Sequence, residues 1–264
     1  MLHRWTLGPS WPTGSPMALR FRIALHEVAL LLGAQLCGFL AGGFARADTI
    51  VLVAARDATL IETSGSIANG SGPMMFSGTT SHFSVRRALL AFDLPDSLPA
   101  NAQIDSVFVT LHLSKTTAGP HPERLHRLQS NWGEGPSSSF AGGGDTARPG
   151  DATWIHTFFD TQPWRTPGGD FAPGASAEIS VGGPGMYTWG STPGLVADVQ
   201  AWLEDRASNF GWILVGNETV AHTAKRFDSR ESADPANRPR LTIHFTRRTA
   251  VETTTWGSLK ALYR

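Results

Sequence analysis

The chain has 264 residues, 22 basic against 22 acidic side chains, one cysteine and 41% apolar residues. Balanced charge excludes the global basic field that attracts nucleic acid or anionic lipid. A single cysteine excludes a disulfide scaffold, so stability must come from a buried core.

The first 47 residues have the layout of a secretory signal peptide. Arg20 and Arg22 follow Met17, an apolar run extends from Val28 to Leu40, and Ala45-Arg46-Ala47 precedes Asp48 as an A-x-A cleavage pattern. The apolar run is shorter than the ~20 residues of a membrane span, and Gly33, Gln35 and Gly38 interrupt it. The expected exported form starts at Asp48, with residues 1–16 upstream of the true start if translation begins at Met17. It has 217 residues, 18 basic and 21 acidic side chains and no cysteine, because Cys37 lies in the leader. Sequencing the N-terminus of secreted protein checks this; a species retaining Leu31 to Leu40 would make the segment an anchor.

Beyond Asp48 the apolar residues recur with period two. Ile50 to Val53 and Ala58 to Glu62 read as strands. In Arg86 to Leu94, closed by Pro95, Ala88, Leu90 and Phe92 share one face while Leu89 and Ala91 share the other, the pattern of a strand buried on both sides. Val107, Val109, Leu111 and Leu113 form the inward set of an alternating strand. Leu125 to Leu128 and Glu178 to Val181 add shorter strands. Gly133 to Gly150, rich in serine and glycine, predicts an exposed insertion. One helix is predicted over Leu195 to Leu203, where Val196, Val199, Gln200 and Leu203 share a face with Leu195 and Trp202 beside it. Three strands close the domain: Asn209 to Val215, Arg226 to Glu231, and Arg238 to Phe245. Many short strands, Gly and Pro turns and one helix predict an all-β, jelly-roll-type β-sandwich over residues 48–246, followed by a tether and tail over 247–264.

Catalytic motifs are missing: there is no G-x-S-x-G, no H-E-x-x-H and no phosphate loop. Glu134 with Asp151, or Glu178 with Asp198, could form a glycosidase pair, but such pairs arise by chance in many chains. The expectation is a non-enzymatic protein. Trp164, in Gln162-Pro163-Trp164-Arg165, is the best candidate for an aromatic platform on which a sugar ring stacks. Arg87, Lys225 and Arg230 form a candidate cationic set that pairs with carboxylated sugars. The alternative is internal pairing of Arg87 or Arg230 with Asp93, Asp228 or Glu231, and packing of Trp164. No motif requires a cofactor. A structural calcium ion would find hard oxygen ligands among Asp57, Asn69, Asp198 and Asp228.

A series of short pieces carries a family resemblance. They are Arg87 to Leu94, Ile104 to Leu111, Asn131-Trp132-Gly133-Glu134, Asp151-Ala152-Thr153-Trp154, Val196 to Trp202, Asn209-Phe210-Gly211-Trp212, and Phe227-Asp228-Ser229-Arg230-Glu231. In this order they resemble the DNRLRE domain family, secreted bacterial jelly-roll proteins related to a carbohydrate-binding module class. The resemblance covers about Asp48 to Thr246. It implies a secreted or cell-surface domain that recognises a polysaccharide, including acidic ones; the leader predicts no membrane insertion after signal cleavage, and the charge balance no nucleic-acid partner. A structural or adhesive envelope protein without sugar binding is the alternative, and a polysaccharide-active enzyme the third reading.

Overall fold

The computed structural model describes residues 47–63 and 65–247. The signal-peptide reading of the leader and the reading of the tail fall outside these residues. In chain order the strands are β1 (Ala47–Val53), β2 (Arg56–Ile61), β3 (Ile67–Ala68), β4 (Met74–Thr79), β5 (Val85–Ala91), β6 (Gln103–Thr116), β7 (His121–Arg127), β8 (Asp145–Thr146), β9 (His156–Phe158) and β10 (Gln162–Pro163). Then come β11 (Ala177–Val181), β12 (Gly185–Trp189), helix α1 (Pro193–Glu204), β13 (Trp212–Val215), β14 (Lys225–Asp228) and β15 (Arg240–Thr246). Among the described residues no helix is long and apolar enough to cross a membrane.

Eleven strands form one curled antiparallel sheet in the order β1-β15-β6-β14-β4-β5-β13-β7-β11, with β12 on β6 and β2 on β5. The result is an all-β, sandwich-like fold with a single α-helix among the described residues. β6 carries β12 along one edge and β15, then β14, along the other. β4 takes part in both halves. Met74 to Ser77 pair with β14, whereas Gly78 and Thr79 pair with β5. Gly78 has φ +88°, and a Cβ there would lie 2.8 Å from the Thr223 carbonyl oxygen. Only glycine makes this turn without strain.

The alternation read from β6 is realised: Val107, Val109, Leu111 and Leu113 are all fully buried. They pack in the main core with Leu90, Phe92, Trp189, Phe227 and Ile243. Helix α1 closes this core with Leu195, Val199, Trp202 and Leu203. Thr192 caps the helix, its Oγ1 accepting from the Leu195 N–H at 3.2 Å. The Trp202 and Trp212 ring centroids are 4.5 Å apart, and the Trp212 indole N–H donates to Asp198 Oδ2 at 2.8 Å.

β5 is buried on both faces, as its sequence predicts. Ala88 and Leu90 face the main core, and Leu89 and Ala91 enter a second cluster with Leu60, Trp132, Trp164 and Ile213. The segments after β7 supply that second layer. This corrects, for its base, the reading of residues 133–150 as an exposed insertion. Ser137 is fully buried, and its N–H and hydroxyl both donate to Asp151 Oδ1. Its carbonyl accepts from the N–H groups of Gly70 and Ser71. Backbone bonding, rather than apolar content, fixes the base of the loop, while its tip leaves Phe140 78% exposed.

Candidate functional site

The sequence set of Arg87, Trp164, Lys225 and Arg230 does not assemble into an exposed surface. Trp164 is 4% exposed, and its indole N–H donates to the Thr153 carbonyl at 2.9 Å. It has no free face for a sugar ring, because the second layer encloses it. Arg87 donates from Nε and Nη2 to the two oxygens of Glu218 at 2.7 and 2.9 Å, and its guanidinium lies over Trp154 and Phe171. Arg230 forks onto Glu134, both bonds 2.6 Å, and lies 2.9 Å from Glu231. Internal pairing therefore describes both arginines, with Glu218 and Glu134 as the main partners.

Lys225 is fully buried on β14, and its ammonium donates to the Gly119 carbonyl at 3.2 Å. Glu123 on β7 is equally buried and accepts from the Ser77 hydroxyl at 2.7 Å. Burial pushes the Glu123 carboxyl from 4.5 up to about 8, against the pull of the Ser77 hydroxyl and the Lys225 charge. The folded state then holds a proton that the unfolded chain releases, so this group's contribution to stability is present below about pH 4.5 and is lost as pH rises towards about 8. Urea unfolding across that window should show stability falling with pH, and Glu123→Gln should reduce the slope. An unchanged slope in the variant would mean that Glu123 titrates normally.

Beside Lys225 the register of β14 builds a different surface. Arg226 is the Cα partner of Phe76 on β4 and of Lys115 on β6. Directly opposed residues point to the same face, so Phe76, Arg226 and Lys115 form a row across three strands while Lys225 and Phe227 turn inward. The row floors a depression of about 310 Å³ that is also lined by Phe140 and Gly142. Arg86 Nε donates to the Gly142 carbonyl at 2.6 Å and ties this end of the loop to the sheet. Phe140 is thereby held at the rim.

The electrostatics of this row are unusual. Arg226 Nε donates to the Ser114 hydroxyl at 3.0 Å, and among the described residues neither Arg226 nor Lys115 forms an ion pair with a carboxylate. Like charges directly opposite on adjacent strands destabilise a sheet. An anion bound between them would convert that repulsion into two charge-assisted hydrogen bonds.

Two larger depressions, of about 590 and 620 Å³, meet at Gln129. Their arginines already have acidic partners: Arg87 has Glu218, Arg165 has Asp170 at 3.4 Å, and Arg127 has Asp198 at 4.0 Å. Charge favours the smaller site, although volume favours these. No family model matches the chain, and the search of curated proteins finds no match either.

Lys115 and Phe140 escaped sequence reasoning. Lys115 lies just past the last apolar residue of its strand, and Phe140 sits alone in a Ser/Gly loop. The available signal was an aromatic with no large apolar neighbour to bury it, together with one of only three lysines in the chain.

Proposed function

We propose that this protein is a secreted or envelope-associated, non-catalytic β-sandwich that recognises an acidic polysaccharide at the Lys115–Arg226–Phe140 surface. One observation carries the reading: two cations without acidic partners among the described residues face each other across a strand pair, beside an aromatic ring left 78% exposed. Uronate carboxylates would bridge Lys115 and Arg226, and the apolar face of a sugar ring would lie on Phe140. The resemblance to the DNRLRE family supports the same class of ligand. The non-catalytic part is supported by the engagement of the carboxylates named above as candidate acid and base pairs. Glu134 is engaged by Arg230, Asp151 by Ser137, Glu178 by Arg124 and Asp198 by Trp212.

The test is titration with a soluble polyuronate and with an uncharged polysaccharide of similar length. Binding should favour the polyuronate and weaken as salt rises, since screening acts over ~8 Å at physiological ionic strength. Arg226→Ala should lower affinity about ten-fold, the loss of one charge-assisted bond. Unfolding of that variant should be unchanged or shifted slightly towards greater stability, because a like-charge pair is removed. Preference for the uncharged polymer, or full affinity in the Arg226→Ala, Lys115→Ala double variant, would sink the proposal.

A further inference from the structure

Away from this surface, three carboxylates converge from distant parts of the chain. Asp57 comes from β2, Glu134 from the loop after Trp132, and Glu231 from the segment after β14. One oxygen of each lies within 4.8 Å of the others. Arg230 adds one positive charge, so with all three carboxylates ionised, as ion ligands must be, the group of four carries a net charge of −2. Asp57 is 1% exposed. Its Oδ2 accepts from the Arg230 backbone N–H at 2.7 Å, while Oδ1 is buried with no hydrogen-bond partner. A buried carboxylate oxygen left bare costs far more than a satisfied one.

The bonding around the other two carboxylates leaves room for one more partner. Glu134 Oε1 accepts from the Asp57 N–H and from Arg230 Nε, but Oε2 accepts from Arg230 Nη2 alone. Glu231 Oε2 accepts from the Ser229 hydroxyl, and Oε1 faces Arg230 Nε. The side chains of Glu134 and Glu231 are 17% and 22% exposed, so water can reach one side of the group.

We infer that Asp57, Glu134 and Glu231 bind a calcium ion, with Asp57 Oδ1 as its buried ligand and water completing the shell. The oxygen-only donor set suits a hard cation better than zinc, whose sites are built mainly from His nitrogen and Cys sulfur. Calcium–oxygen distances of about 2.3–2.6 Å place ligand oxygens as close together as these three are. A divalent charge balances the net −2. Magnesium gives up its water reluctantly and suits this crowded, Arg-shared site less well. The ligand set differs from the one suggested by sequence. Asn69 is committed to Met74 and Ser139, Asp198 to Trp212 and Ser176, and Asp228 to His112. Only Asp57 is shared. The ion would join β2, the loop base and the end of β14.

The experiment is thermal unfolding of the full chain after EDTA treatment, with and without calcium chloride, alongside calorimetric titration with calcium. At calcium about 100-fold above Kd the midpoint should rise by roughly 5–11 °C. Magnesium at the same concentration should do less. Asp57→Asn and Glu231→Gln should each abolish the calcium-dependent rise. If Asp57→Asn does not fold, Glu231→Gln at the solvent side decides alone. No calcium-dependent rise and no heat of binding in the unaltered protein would overturn the inference, as would a rise fully retained in Glu231→Gln. Stabilisation by acid alone, unaffected by calcium, would show that a proton takes the ion's place and would overturn it equally. The polyuronate result bears on different residues, so either proposal can fail without the other.

Discussion

Replacing Gly211 by alanine should destabilise the domain by about 2–5 kcal/mol, from left-handed backbone strain of roughly 1–2 and overpacking of roughly 1–3. Gly211 has φ +79°, and a Cβ there would lie 2.1 Å from the Leu90 carbonyl oxygen and 2.8 Å from the Ala91 Cα. Both are backbone atoms of β5, so no side-chain rotation relieves the clash. The next residue, Trp212, pairs with Leu90 and Arg127 and packs on Trp202. Movement of Gly211 therefore disturbs the strand and the indole cluster together. Gly143→Ala is the control, since nothing lies within 4 Å of a Cβ at that position. Urea unfolding of both variants decides the matter. A Gly211→Ala cost below about 0.5 kcal/mol, the range of ordinary surface changes, would mean that the chain yields there more easily than the geometry allows.

Leu111→Ala should cost a comparable ~2–5 kcal/mol, through lost burial and the cavity that remains. Leu111 is fully buried at the middle of β6, opposite Tyr187 of β12. β6 also carries β15 and β14, so its neighbours are held by other pairings and cannot collapse into the vacated space. Equilibrium unfolding again gives the number. A loss below ~0.5 kcal/mol would show that this site relaxes freely.

The parts legible in sequence are those where one chemical pattern decides the outcome locally. Alternation along Val107 to Leu113 gives the inward face of β6 because period two maps directly onto a pleated strand. The doubled apolar pattern of β5 correctly signals burial on both sides. β4 is different: Met74-Met75-Phe76-Ser77-Gly78-Thr79 does not alternate, and its Ser77 and Thr79 are buried by bonding rather than by apolar character. Trp164 illustrates the limit for sites. Its neighbours are polar turn residues, yet it is enclosed because the segments after β7 fold back over β5 and β13. Arg230 finds Glu134 across 96 positions, a partnership set by topology alone. The Lys115–Arg226 pair likewise exists only because β14 meets β6 in one register, with a shift immediately after Arg226.

The change of partner along β4 has a mechanical consequence. A sandwich whose halves are joined only by loops can open like a book, each half keeping its own hydrogen bonds. Here a single strand carries ladder bonds to β14 as far as Ser77 and, from the very next residue, Gly78, to β5, with no slack between them. Separation of the halves must break one set of those bonds or the other. Backbone amides on both sides of Gly78 should therefore exchange with solvent in one cooperative event, not in two.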